Sequence, residues 1–370
     1  MPAAGPFANA HRATRLSTTM PTIELVRRDW ILAVVAVALF LAAGGAYVVD
    51  SRRASLTPHG ATVQPVSITP IVGALITPEP TVRDLSPYEG YGTWVDVFDF
   101  SAPYAGPEPS VTPADLDEMV DAGVRTVFLQ AARLDDRSPN GLEDRWLLAE
   151  FVLRAERLGA DVVAWYLPKF TGDGTDEARL AQMANFEVLG RRFSGIGVDI
   201  EWTQGSDDET RSSRLVELSA AVSAADPETP LGAIVLPPVL IEVVNPSYWP
   251  GFPWVEIAPY YDVWLPMSYW SFRTSSSGYQ DGYTYNEESI RRLRTNIGEP
   301  EALVHAIGGI GGVDGIDDPA NPEEPLASIE DFDGFLASLE QTGSIGGSIY
   351  DWATLDDASR ARLAELFATG

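Results

Sequence analysis

The chain has 370 residues, 45% apolar and 21% charged, room for one large domain with appendages or for two average ones. It has no cysteine, which excludes disulfides, thiol nucleophiles and cysteine-bound metal centres, and its three histidines are too few and scattered for a multi-histidine metal site. Residues 1–60 carry six arginines and three acids, leaving 19 basic and 50 acidic residues for the remainder, a body that repels phosphate backbones and points away from nucleic acid.

Residues 1–29 form a short tail rich in arginine. Trp30–Val49 follows without a single charge. Twenty helical residues reach about 30 Å, the thickness of a bilayer core, and Arg12, Arg15, Arg27 and Arg28 precede the run as a cytoplasmic N-terminus requires. The expectation is a single-pass membrane anchor with the rest of the chain outside the cytoplasm. The alternative is a secreted protein, its signal peptide cleaved after the small residues Gly44-Gly45-Ala46. Residues 50–87 are rich in proline and threonine and read as an extended, disordered linker.

In residues 88–370, short apolar β-type runs alternate with helix-period runs. The strand candidates are Thr93–Phe100, Val124–Ala131, Asp161–Pro168, Gly195–Trp202, Leu231–Pro237, Tyr261–Trp270, Leu303–Gly309 and Gly346–Trp352. Helical patterns cover Pro113–Ala122, Leu142–Leu158, Asp176–Arg191, Asp207–Ala225, Asn286–Asn296, Ile329–Gln341 and Asp357–Ala368. Thr112 before Pro113 is an N-cap signal, and Gly123, Gly159 and Gly343 stand where helices end. The stretch Pro238–Ala258 is irregular and reads as a lip loop. Eight βα units predict an α/β fold, the (β/α)₈ TIM barrel. An open doubly wound sheet is the rival, but Phe98-Asp99-Phe100-Ser101 follows the first strand where a glycine-rich phosphate turn would stand.

Barrel active sites lie at the C-terminal ends of the strands. Those positions offer Asp96 and Asp99 on the first strand, Gln130 on the second with Arg133 beyond it, and Trp165, Tyr166 and Lys169 on the third. The fourth carries Asp199, Glu201 and Trp202, and the sixth Met267, Tyr269 and Trp270, followed by Arg273. His305 stands on the seventh, with Asp351 and Trp352 on the eighth. Carboxylates supply general acid–base chemistry, and aromatic rings stack on sugar faces, so the set points to a glycan as partner and substrate. No cofactor and no metal site are implied; Asp314 to Asp318 lacks the spacing of a calcium loop. Strand alternation turns Gly197, Asp199 and Glu201 to the barrel axis, where two neighbouring acids repel and one holds its proton. An ion pair of these acids with Lys169 or His305 is the structural alternative. Lys169 and Arg273 either bind a substrate carboxylate or pair with nearby acids. Trp249 and Trp254 either extend a sugar cleft or pack the lip loop down.

Ser194 to Glu201 (SGIGVDIE) resembles the strand-four motif D-G-x-D-x-D-x-E of the chitinase family of glycoside hydrolases, family 18, with Ser194 and Gly197 in place of its first two aspartates. Met267-Ser268-Tyr269 is similar to that family's M-x-Y on strand six. Gly346-Gly347 followed by Trp352 is similar to its G-G-x-x-x-W, with one residue extra. The chain also resembles secreted or membrane-anchored glycoside hydrolases of actinobacteria. The resemblance implies Glu201 as general acid, Asp199 and Tyr269 as partners of a substrate 2-acetamido group that attacks the anomeric carbon, and Trp352 as the floor of the sugar subsite. It leaves Asp96 to stand in for the aspartate missing at 197. The expected function is an extracytoplasmic glycosidase. The alternatives are a two-carboxylate glycosidase using Asp99 or Asp351 and a non-catalytic carbohydrate-binding barrel.

Overall fold

A computed structural model describes residues 83–273, 275–310 and 327–369. All belong to one unit of the chain, residues 76–370. The apolar run Trp30–Val49, the linker up to residue 82 and the acidic loop Asp314–Asp318 lie outside the described residues. Among the described residues no helix is long and apolar enough to cross a membrane.

Eight parallel strands form the centre: β1 Gly90–Val95, β2 Thr126–Gln130, β3 Asp161–Tyr166, β4 Gly195–Ile200, β5 Leu231–Val235, β6 Val263–Pro266, β7 His305–Ile310 and β8 Gly346–Tyr350. They pair in the order β6-β5-β4-β3-β2-β1-β8-β7. The ends of this order meet: Trp264 N–H donates to Leu303 O at 2.9 Å, and Ser268 N–H to Ile307 O at 2.8 Å. The sheet is thereby a barrel, with no exposed edge to manage. A helix follows each strand: α1 Leu116–Asp121, α2 Arg145–Leu158, α3 Thr175–Ala184, α4 Asp208–Ala225, α5 Trp254–Ile257, α6 Gly282–Ile297, α7 Ile329–Thr342 and α8 Asp357–Thr369. This is the eightfold βα alternation expected from the sequence.

Local signals explain where elements start and stop. Thr112 and Asp115 form a reciprocal capping box before α1. Gly159 and Gly343 end α2 and α7 in the left-handed conformation, with φ of 73° and 61°. The strand expected over Thr93–Phe100 stops at Val95, because Asp96 caps a helical turn at Val97–Phe100 and Asp99 returns a bond to the Asp96 N–H. The helix expected to reach Arg191 stops at Ala184. Beyond it Leu189 and Gly190 adopt positive φ and close a Val188–Arg191 bridge.

The N-terminal end of the barrel is plugged by Tyr88, which is fully buried and donates to the carbonyl of Ile196 at 2.9 Å. Three strand glycines make room for this plug and its neighbour: a Cβ on Gly195 or Gly232 would stand 2.8 Å from Tyr88, and one on Gly346 would stand 2.5 Å from His305 Nδ1. Above the plug the interior is aromatic. Trp94 stacks on Phe128 at 4.5 Å and meets Trp165 edge-on at 5.8 Å. His305 lies in this layer. The Tyr88 carbonyl 2.9 Å from Nδ1 can only accept, so Nδ1 carries the hydrogen. Nε2 then accepts from Ser348 Oγ at 3.0 Å, and that oxygen accepts from Trp94 Nε1 at 2.8 Å. Burial lowers the His305 pKa to about 4, which keeps the ring neutral. His305 is a satisfied core residue.

Candidate active site

The inward alternation of β4 holds. Gly195 faces Tyr88, Gly197 faces Trp165 and Ile234, and Asp199 follows on the same parity. Asp199 is buried, and its Oδ1 has no hydrogen-bond partner. Burial first, and the charge of Glu201 second, raise its pKa well above 3.8. Burial also raises the half-buried Glu201, two residues on. Neither Lys169 nor His305 has a side-chain nitrogen within 4.0 Å of a carboxylate oxygen of either acid, so the alternative of a structural ion pair fails. Two coupled acids in a desolvated site retain a proton to higher pH than free carboxyls do.

Tyr269, just beyond β6, joins this pair. Burial and the charges of Glu201, Asp199 and Asp351 push its hydroxyl well up. Asp199, Glu201 and Tyr269 therefore share one region of the barrel mouth. Asp96 and Asp351 approach from β1 and β8. Tyr350 Oη donates to Asp96 Oδ2 at 2.5 Å, and the Tyr350 ring lies 6.0 Å from that of Tyr269. Asp96 Oδ1 accepts from Phe98 N–H at 2.6 Å. Both Asp96 oxygens are thus engaged with partners other than Asp199, against the expectation that Asp96 stands in for the missing aspartate. Asp96, Asp99 and Asp351 each bring an oxygen within 4.8 Å of the others. Asp99 serves the capping box, accepting from Asp96 N–H at 2.8 Å, and Asp351 accepts from Thr354 N–H at 3.0 Å.

The missing aspartate at 197 has a physical counterpart. Gly197 pairs with Trp165 of β3, and a Cβ there would stand 2.8 Å from Ile234 Cδ1 and 3.2 Å from Trp165 Cβ. The space for a side chain is already filled.

Several expected binding residues serve the core instead. Trp352 is 2% exposed, with the Arg360 guanidinium 4.1 Å from its ring centre, so it floors no open subsite. Tyr350, two residues earlier and half-buried, faces the acids in its place. Gln130 Oε1 accepts from Val97 N–H at 3.1 Å and steadies the turn after β1. Tyr166 is buried and donates to Asp176 at 2.6 Å. Trp270 is buried against α7, with its ring 5.5 Å from that of Phe335. Met267 is buried at the end of β6. Trp249 donates to Ser212, and Trp254 packs on Phe252 at 4.3 Å, so both pack the lip loop down. Lys169 and Trp202 do stand at the mouth, with the ammonium 4.8 Å from the indole centre. Arg273 lies 5.8 Å from the ring of Tyr285.

One further residue belongs to the region. The Tyr248 hydroxyl in the β5 lip loop is pushed up by burial and by the charge of Glu201. No periodic signal marks it; only the fold of the lip loop brings it to β4. Grooves elsewhere, such as the 520 Å³ one between Ser101 and Trp146, contain none of these coupled acids. Proton chemistry needs titratable groups in mutual contact, so the carboxylate cluster rather than surface volume defines the candidate site.

No protein-family model matches the sequence, and no curated protein matches it. Solved structures share the fold. An endo-1,4-β-D-mannanase from Thermotoga petrophila RKU-1 superposes with a TM-score of 0.56 at 12% identity, over 76% of this chain and 100% of that one. A class V chitinase from Pseudomonas fluorescens Pf-5 gives 0.52 at 11%, over 74% and 98%. A family 18 chitinase from Cycas revoluta, solved with (GlcNAc)₃, gives 0.50 at 12%, over 76% and 99%. At such identities the likeness is one of fold: the described residues form a TIM barrel of the architecture found in these glycoside hydrolases.

Proposed function

We propose that the barrel hydrolyses glycosidic bonds of a glycan, with Glu201 as general acid. The observation that carries this reading is the pair of buried Asp199 and half-buried Glu201, both held to higher pKa, beside Tyr269 at the C-terminal ends of β4 and β6. The glycosidase names of the structural neighbours agree with it. Glu201 gives its proton to the departing glycosidic oxygen as the bond to the anomeric carbon breaks. A substrate 2-acetamido oxygen, oriented by Asp199 and Tyr269, forms the compensating bond to that carbon. Water then attacks the same carbon, returning a proton to Glu201 and releasing the acetamido oxygen. A conventional two-carboxylate route through Asp351 is the second reading, favoured by the reach of its charge to Tyr269 and Tyr350. Asp99 is tied into the capping box and is the weaker choice for that role.

The test is a screen of the full chain against chitin oligomers, mannan and peptidoglycan. Glu201→Gln should lower turnover by about 10²–10⁴-fold while affinity stays within a few-fold. Asp199→Asn should act chiefly on substrates with a 2-acetamido group; loss through Asp351→Asn instead selects the two-carboxylate route. Glycan binding with no hydrolysis by the wild type would make the protein a binding barrel.

A further inference from the structure

More than half of the described arginines are held in ion pairs, as Arg83 is by Asp262 and Arg192 by Asp226. The described cations outside such pairs include two that rest on aromatic rings after the ends of β2 and β3. Lys169, the chain's single lysine, is one. Among the described residues no carboxylate oxygen lies within 4.0 Å of its ammonium, which rests over the Trp202 ring instead. Arg133 also rests on rings, its guanidinium carbon 4.9 Å from the centre of Phe98 and 5.7 Å from that of Tyr104, while its charge acts on Asp135.

An aromatic face holds a cation in place through its quadrupole yet leaves the charge uncancelled, whereas a carboxylate would hold it and neutralise it. Arg133, Lys169 and Trp202 follow the ends of β2, β3 and β4, which are neighbours in the sheet. Trp202 is next in sequence to Glu201. The Lys169 charge is therefore fixed at the rim, over the residue that follows Glu201.

We propose that Lys169 binds a carboxylate on the sugar chain close to the bond cleaved, so that the substrate is an acidic glycan. The proposal rests on the glycosidase reading above. An ammonium is a point charge that accepts a carboxylate from many directions.

The test measures binding by calorimetry to the full-length Glu201→Gln chain, which does not depend on turnover. The probes are uronic acid oligomers and amino-sugar oligomers bearing lactyl carboxylates, each alongside its carboxyl-reduced counterpart. At least one acidic oligomer should bind about ten- to a hundredfold tighter than its reduced form, the scale of one or two charge-assisted contacts. Lys169→Met should collapse that ratio toward one, and Lys169→Arg should keep most of it. A ratio near one for every pair, or a ratio that survives Lys169→Met, would overturn the proposal. Charge-dependent binding together with a wild type that cleaves nothing supports the carboxylate site and sinks the glycosidase reading. Equal cleavage of acidic and reduced oligomers does the reverse.

Discussion

Asp199 places an ionisable group where water does not compensate it, and Glu201 adds like charge nearby. The folded state therefore holds a proton that the unfolded chain releases near the ordinary carboxyl value of 3.8. Over the interval between those two values the folded state binds more protons, so stability falls as pH rises. Asp199→Asn removes the charge and keeps the shape. It should melt above the wild type at pH 7 to 8, by about 1–3 kcal/mol in stability, and the gap should close as pH approaches 4. Calorimetry at the two pH values checks this, and identical melting temperatures at both would show that Asp199 is not desolvated. A mutation that stabilises the fold while lowering turnover is the mark of a site held against its own electrostatics.

At the scale of elements, β4 and β5 fit as a complementary pair, with Ile234 filling the space that Gly197 leaves. Gly197→Asp would complete the aspartate pattern of the strand-four motif, yet it should raise no activity and should cost about 1–3 kcal/mol from overpacking. The midpoint of a denaturant titration would report it. Gly197→Asp combined with Ile234→Ala should recover part of the loss, and a neutral single variant would show that the two strands do not compete for this volume. The same alternation made much of the barrel readable from sequence, because period-two runs place Asp199 and Gly197 on one face whatever their neighbours are. What lay outside its reach was set by contacts distant in the chain. Trp352 is lost to the site because Arg360 of α8 covers it. Tyr166, Gln130 and Trp270 look like strand-end binding residues until Asp176, Val97 and α7 claim them. Tyr248 reaches Glu201 only through an irregular loop.

For the whole molecule, we propose that Trp30–Val49 anchors the chain and residues 50–82 connect the anchor to an extracytoplasmic barrel. Protease treatment of intact cells should cut in that connection and release an intact body, detected by mass spectrometry. A mature N-terminus at Tyr47 would establish a cleaved signal instead. Arg83 bears on what such an attachment does to the enzyme. It donates to Asp262 at 2.7 Å and to the Pro227 carbonyl at 3.0 Å, both just before strands begin, beside the end closed by Tyr88. A pull on the preceding chain thus enters the barrel at the starts of β5 and β6 and is carried by the strand ladder. The lip loops at the other end bear none of that tension, so shear on an anchored protein leaves the mouth undistorted and open to a polymer drifting past.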